Sequence, residues 1–373
     1  MRNPLHSICP YFAMFPEEFV REHVETHTRA GQYVFDPFSG RGTTALESLL
    51  LGRRAFALDC NPVAYCVSGA KADVPHLSDV LARIEKYENL FRRFERDWLK
   101  QESRSLPPFF RRAYHHTTLR EILFLRAVLN WVSDPIDRFV ATLVLGAMHG
   151  EMDRSQAYFS NQMRRTISTK PRYSLNFWKL HKLWPRKKRV FHMLKTSAKF
   201  RLSGEAPHLR GEVRLGDVRQ AADLFPQIKG KVRAVITSPP YLNVTNYEED
   251  QWLRLWFLGY DARPTYRRFS QDNRHVERSD YWSFLEEAWT GVEPLLQKDA
   301  VLICRMGSNG LSQEELREGM LQTVRNCFGE VKILRAPVVS KIRNRQTGSF
   351  RPGSRGCVFE MDFVLGIRRV PGT

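Results

Sequence analysis

A short apolar run, Tyr33–Asp36, ends in a glycine-containing turn, Pro37-Phe38-Ser39-Gly40-Arg41-Gly42. A helical pattern from Thr43 to Leu51 follows and closes on Gly52, and a second apolar run, Arg54–Asp59, comes directly after. A strand, a crossover helix and a strand this close together form a β-α-β unit, which nucleates a parallel α/β sheet. The sheet signal returns far downstream. Glu212–Asp217, Val232–Thr237, Ala300–Met306, Val331–Val339 and Phe359–Ile367 all read as strands. Helical periods separate them at 247–258, 281–296 and 314–327.

Between the two sheet-forming parts the pattern changes. Leu77–Glu102, Thr117–Trp131 and Pro135–Gly150 show apolar residues at helical spacing. Residues 77–205 therefore read as a large, mostly helical insertion, irregular around Ser168–Ser174. Residues 1–76 and 206–373 read as the catalytic part.

Charge separates these regions further. The 373-residue chain carries a net charge of +18. Between Asp153 and Glu205 there is no acidic residue but there are fourteen Lys and Arg, which leaves a net charge of +4 for the rest of the chain. Aromatics interleave these cations: Tyr158, Phe159, Tyr173, Phe177, Trp178, Trp184 and Phe191. Ordinary surfaces mix both signs, so a run of one sign this long predicts a polyanionic partner. Arg164, Arg165, Lys170, Arg172, Lys187 and Lys188 are the candidate nucleic-acid contacts within it. A second acid-free stretch, 331–359, contains Arg343 and Arg345 and reads equally as a loop closing on nucleic acid and as an exposed hairpin. The six cysteines form no C-x-x-C pair, and the His115-His116 pair reads as a helix start, so no metal site is expected. No apolar run approaches eighteen residues and no signal-peptide pattern opens the chain, so a cytoplasmic, nucleoid-associated protein is expected.

Ligands of open α/β sheets bind outside the carboxyl ends of the strands. Three loops stand at such positions. In the first, Asp36–Thr44, Gly40 and Gly42 let the backbone approach a ligand and Thr43 begins a helix with free amides. Asp59, at the end of the next strand, suits the hydroxyls of a ribose. This unit alone predicts an adenosine-containing cofactor and leaves dehydrogenase and methyltransferase readings equally open. The second loop is Ser238-Pro239-Pro240-Tyr241. Its two prolines remove two donors and fix the backbone, holding carbonyls as rigid acceptors for an amine, and Tyr241 offers a face for stacking a base. The third is Gly216-Asp217, with Asp217 as an acceptor for an adenine amine.

The paired loops resemble those of the DNA amino-methyltransferases, which carry an Asp-Pro-Phe-x-Gly-x-Gly-Thr-Thr loop and a (Asp/Asn/Ser)-Pro-Pro-Tyr loop. The resemblance covers roughly 1–75 and 205–367. It implies a Rossmann-like seven-stranded methyltransferase sheet, the last strand antiparallel, and S-adenosyl-L-methionine as methyl donor. By it, Asp36, Phe38, Gly40 and Gly42 would line the methionine end, Asp59 the ribose and Asp217 the adenine, with Thr43 also among the cofactor-binding residues. A looser match places Phe15 and Pro16 in an N-terminal cofactor motif. Ser238, Pro239, Pro240 and Tyr241 would form the catalytic loop, with base flipping and direct transfer to the amine. Ser238 in the first position resembles cytosine-N4 enzymes more than adenine-N6 ones. Double-stranded DNA is the implied partner, with a cognate restriction enzyme as a second. Rival readings are an RNA amino-methyltransferase and a nucleic-acid-binding scaffold that has lost catalysis. The oligomeric state is left open.

Overall fold

The computed structural model describes residues 2–11, 16–94, 96–150, 157–161, 170–242, 247–263, 280–342 and 357–369. The chain divides into two compact units. One holds Phe12–Asp73, Pro207–Asn246 and Arg268–Thr373, and the other Met1–Tyr11, Val74–Ala206 and Tyr247–Arg267.

The first unit is built on seven strands: β1 (Tyr33–Asp36), β2 (Arg54–Asp59), β3 (Glu212–Leu215), β4 (Val232–Thr237), β5 (Leu296–Gly307), β6 (Glu330–Lys341) and β7 (Phe359–Arg368). They form one sheet in the order β3-β2-β1-β4-β5-β7-β6. The first five strands in this order are joined by four parallel pairings, and β7 runs antiparallel between β5 and β6. This is the Rossmann-like seven-stranded sheet, its last strand antiparallel, expected from the sequence.

Helices α1 (Glu17–His27), α2 (Thr43–Leu50) and α3 (Pro62–Ala72) cover one face, and α11 (Ala221–Leu224), α13 (Tyr281–Val292) and α14 (Gln313–Cys327) the other. Period-two alternation sends neighbouring residues to opposite faces. Val34, Ala234, Ile236, Val301 and Ile303 pack under Val20 and Val24 of α1, while Phe35, Val235, Leu302 and Cys304 join the core under α13 and α14. Helix α3 shows no amphipathic period because all eleven of its residues are buried. Asn61 caps it, accepting from the Val63 amide at 2.9 Å. The outermost strand, β6, is largely exposed, and its register shifts around Pro337, a residue suited to an edge strand.

The second unit is helical: α4 (Leu77–Arg93), α5 (Arg96–Ser105), α6 (Pro108–Ala113), α7 (His116–Val128), α8 (Pro135–Ala147), α9 (Pro171–Leu180), α10 (Val190–Arg201) and α12 (Tyr247–Phe257). The pattern read as one helix over 77–102 breaks at Phe94, whose backbone is extended. The stretch read as irregular around 168–174 includes a helix start, because Pro171 occupies the first turn of α9, where a missing amide costs nothing.

This unit also takes in Met1–Tyr11 and Tyr247–Arg267, which the sequence boundaries left with the catalytic part. Long-range packing decides this. Trp252 and Trp256 of α12 meet Phe109 and Phe110 of α6 at ring separations of 5.1 and 4.4 Å. Arg254 donates to the carbonyls of Pro10 at 2.7 Å and Leu145 at 3.1 Å. Gly146 leaves room for the chain at Ile8, whose carbonyl oxygen a Cβ there would approach to 2.1 Å. Among the described residues, no helix is long and apolar enough to cross a membrane.

Candidate active site

The site is assembled at the carboxyl edge of the sheet by strands adjacent in space. β1 ends at Asp36, whose carboxylate is 2 % exposed. One carboxylate oxygen accepts from the Phe38 amide at 3.2 Å and from the hydroxyl of Thr237 at 2.7 Å. Thr237 is the last residue of β4, the next strand in the sheet, so this bond ties the two loops together at their roots. Burial pushes the Asp36 carboxyl up to about 6, against the hydrogen bonds from Thr237, Thr44 and Phe38.

The turn after Asp36 closes on itself. The Ser39 amide donates to the Leu58 carbonyl at 2.9 Å, and the Gly42 amide to the Ser39 carbonyl at 2.7 Å. Gly40 and Gly42 stand at φ +49 and +73, where a side chain is strained. At Gly42 a Cβ would lie 2.7 Å from the backbone Cα of Ser68. Thr43 opens α2 and is buried, accepting from the Arg41 guanidinium at 3.1 Å. Buried Lys71 donates to the Arg41 carbonyl at 2.6 Å, holding the turn from beneath. Phe38 is partly buried beside the ring of Phe284, 6.3 Å away.

Asp59, at the end of β2, accepts from the Gly40 amide on one oxygen and the Asn61 amide on the other, each at 2.9 Å. Burial pushes its carboxyl up to about 6, against those two bonds. Asp217 follows β3, whose Leu215 lies in register with Asp59. Its carboxylate is paired with Arg219 at 2.8 Å and caps the following turn through the Arg219 amide at 3.0 Å. Three carboxylates therefore stand at the ends of three consecutive strands. Phe15 lies outside the described residues. Pro16 is exposed and caps α1, and Phe19 one turn later lies under the Arg305 guanidinium of β5.

The second loop, Ser238-Pro239-Pro240-Tyr241, leaves β4 beside these carboxylates. Pro239 is buried, and Ser238 and Pro240 are half-buried. Tyr241 departs from the expectation of an open stacking face, since its side chain is 4 % exposed. Its hydroxyl donates to Glu360 at 2.9 Å and accepts from the Ser238 hydroxyl at 3.3 Å. The ring occupies space that Gly307 leaves open; a Cβ there would meet it at 2.9 Å. Tyr281 of α13 donates to the Pro240 carbonyl at 3.0 Å, and the Asn309 amide to the Leu242 carbonyl at 3.1 Å. The loop is anchored on both flanks.

The sequence reading missed Glu360, Gly307 and Tyr281. Glu360 is the second residue of β7, and burial raises its carboxyl above the usual range while Arg305 opposes the shift. Arg305 makes a paired contact with Asp362 at 2.6 and 2.8 Å. The available signal was two acids at alternate positions, Glu360 and Asp362, at the start of a largely apolar strand, with an arginine in register on the neighbouring one.

Of the candidate nucleic-acid contacts, Arg164, Arg165, Arg343 and Arg345 lie outside the described residues. Lys170, Arg172 and Lys187 are exposed and Lys188 is half-buried, all in the helical unit. The His115-His116 pair opens α7, with His115 as its cap.

The buried carboxyl of Asp36 sets a pH dependence. Its folded pKa, about 6, exceeds the ordinary value of 3.8, so the folded state binds the proton more tightly. Stability is then expected to fall as pH rises from about 4 to about 6, by about 3 kcal/mol from this group. Urea unfolding across that range should show a shallower fall in Asp36→Asn than in the parent. Equal slopes would remove Asp36 as the cause.

Residues 3–68 match the family model described as DNA methylase, N6_N4_Mtase. Over 80 residues the chain is 28 % identical to the Type II methyltransferase M.MjaII of Methanocaldococcus jannaschii. That match spans 21 % of this chain and 15 % of the relative's length. Among solved structures, the chain is similar to the rRNA methyltransferase aviRa of Streptomyces viridochromogenes, at a TM-score of 0.37 and 11 % identity, over 98 % of this chain and 90 % of that one. It is similar to M. jannaschii TYW2 in complex with AdoMet at 0.33 and 11 %, over 96 % and 80 %. An rRNA methylase of Streptococcus thermophilus gives 0.34 and 9 %, over 96 % and 99 %. Scores this low carry no argument about substrate.

Proposed function

We infer that this chain, whose two sequence matches support the DNA amino-methyltransferase family, is an S-adenosylmethionine-dependent methyltransferase acting on the exocyclic N4 amine of cytosine in double-stranded DNA. The observation that carries this reading is the 2.7 Å hydrogen bond from Thr237 to Asp36, which roots the glycine turn and the proline loop side by side on neighbouring strands.

The donor set suits the cofactor. Asp36 is buried, and its hydrogen bonds come from neutral donors, Thr237, Thr44 and the Phe38 amide. A ligand with a positive sulfur relieves the cost of burying that charge. Asp36 and the glycine turn would hold the methionine end, Asp59 the ribose and Asp217 the adenine. When bound, S-adenosylmethionine supplies an electrophilic methyl on a cationic sulfur. The rigid Ser238–Pro240 backbone would orient the amine with its lone pair toward that methyl. The N–C bond would form as the methyl–sulfur bond breaks, leaving the thioether S-adenosylhomocysteine, and the amine would release its proton to water. Orientation and charge placement supply the acceleration. The target amine lies inside a duplex, so the base leaves the stack first, at about a few kcal/mol.

The carboxylates lead to two expected results. Affinity for S-adenosylmethionine is expected to rise with pH through about 6 as Asp36 ionises, with a smaller rise for the uncharged thioether S-adenosylhomocysteine. Calorimetry with both ligands checks this, and parallel profiles would refute the charge pairing. Asp59→Ala releases the Gly40 and Asn61 amides and removes an acceptor for ribose. It is expected to weaken cofactor binding by about 10- to 100-fold, at about 1.5–3 kcal/mol for a hydrogen bond to a charged group. Unchanged affinity would place the ribose elsewhere.

The deciding experiment is incubation with labelled cofactor and mixed genomic DNA, with RNA in parallel, followed by mass spectrometry of the nucleosides. N4-methylcytosine in DNA is the expected product. N6-methyladenine would transfer the assignment to the other amine, and label only in RNA would transfer it to the other polymer. Cofactor binding with no transfer to either would leave a binding scaffold.

A further inference from the structure

The segment between α9 and α10 is held in an unusual way. Lys182 has φ +51, the only non-glycine residue at positive φ among the described residues. Such a conformation costs of order 1 kcal/mol or more and persists only where surrounding structure imposes it. Here the Leu183 amide donates to the Trp178 carbonyl at 2.8 Å, and the Lys182 amide to Lys179 at 3.2 Å. At the other end the Lys188 amide donates to the Thr118 hydroxyl at 2.9 Å and the Val190 amide to the Glu121 carboxylate at 2.7 Å. The turn is pinned at both ends, yet it presents its largest apolar side chain outward, with Trp184 at 71 % exposed.

The Trp184 ring has a cation against it. The Arg112 guanidinium sits 3.6 Å from its centroid and is itself held by the Trp178 carbonyl at 3.3 Å. One face of the indole is thus backed by a positive charge. Lys182, Arg186 and Lys187 stand exposed on the same turn, and Tyr173 is 64 % exposed on the preceding helix. Residues 170–204 contain no acid to offset them. Glu121 of α7 acts on Lys187, and the turn itself supplies no acid. A flat aromatic fixed in place among cations matches a polymer that offers both π-faces and phosphates.

We propose that the 182–187 turn is a nucleic-acid contact in which Trp184 stacks on an unpaired base while Lys182, Arg186 and Lys187 meet the backbone phosphates. The proposal rests on the reading above only in taking nucleic acid as the substrate, and it concerns binding rather than transfer.

The test uses the full chain and fluorescence anisotropy on two labelled duplexes, one fully paired and one with a single unpaired base, over a range of salt. Trp184→Ala should weaken binding to the unpaired-base duplex by about 5- to 150-fold, the range expected for one lost base stack. It should affect the paired duplex less and leave the salt slope unchanged. Trp184→Tyr should recover most of the loss. The triple variant Lys182→Gln, Arg186→Gln, Lys187→Gln should weaken both duplexes and lower the slope of log K against log salt by about 2 to 3. Circular dichroism should show all variants folded, since the altered side chains are exposed.

Equal binding of Trp184→Ala and parent to the unpaired-base duplex would overturn the proposal, whatever the transfer assay shows. So would Trp184-dependent binding to vesicles of anionic phospholipid without binding to DNA. Trp184-dependent DNA binding by a chain that transfers no methyl group would uphold it while the catalytic reading fails.

Discussion

Gly42→Ala is expected to reduce cofactor affinity by more than about 100-fold and to lower the unfolding midpoint. Two effects add. The backbone at Gly42 lies at φ +73, which costs an alanine about 1–2 kcal/mol. The new methyl would also lie 2.7 Å from the Cα and 2.8 Å from the Cβ of Ser68. Those atoms belong to buried α3, which cannot swing aside as a flexible side chain would, and overpacking of this kind costs about 1–3 kcal/mol. The turn gives way instead, carrying with it the Gly40 amide bonded to Asp59. Gly31→Ala is the control. Gly31 has φ +80 but a Cβ there would meet nothing within 4 Å, so it incurs the backbone cost without the collision. Calorimetry with S-adenosylhomocysteine and thermal melts on both variants separate the two contributions. If Gly42→Ala binds cofactor as tightly as Gly31→Ala, the glycine turn is not the cofactor seat.

The second large effect is expected at Tyr241. Truncation to alanine removes a ring that is 4 % exposed and strips Glu360 and Ser238 of their shared partner. Large-to-small changes of a buried aromatic cost about 3–5 kcal/mol, so Tyr241→Ala should lose both methyl transfer and a substantial part of its stability. Tyr241→Phe is the sharper probe because it keeps the ring and deletes only the hydroxyl. It leaves a half-buried carboxyl and a serine hydroxyl without that partner, at about 1–3 kcal/mol. Transfer is expected to fall about 10-fold or more, with cofactor affinity unchanged within about twofold. Single-turnover assays beside calorimetry give both quantities. A Tyr241→Phe enzyme that transfers at the parental rate would show that the hydroxyl does not set the geometry of the proline loop.

These two positions also mark how far the sequence could be read. Gly42 was legible because its constraint is local. A left-handed turn between a strand and a helix leaves a glycine in the sequence wherever it occurs. The strands were legible for a similar reason: Val232–Thr237 and Arg54–Asp59 are short runs dominated by apolar residues, with the composition of largely buried strands. Helix α3 was not, since burial on every side erases the period by which a helix is recognised. Tyr241 was seen as part of a motif but given the wrong surroundings. Its acceptor, Glu360, lies 119 residues away, and no local pattern pairs them.

The sequence alone determined the parallel α/β architecture, the glycine turn with its carboxylate at the next strand end, and the basic character of the middle of the chain. Each of these is written in composition or in segments no more than about one β-α-β unit apart. The tertiary structure decided what depends on strand order and long-range packing. It set β1 beside β4, so that Asp36 meets Thr237. It drew the first eleven residues and α12 into the helical unit, and it turned Tyr241 inward against Glu360. Such pairings come from burying apolar faces shared by distant segments, and that free energy belongs to the assembled fold rather than to any one stretch of chain.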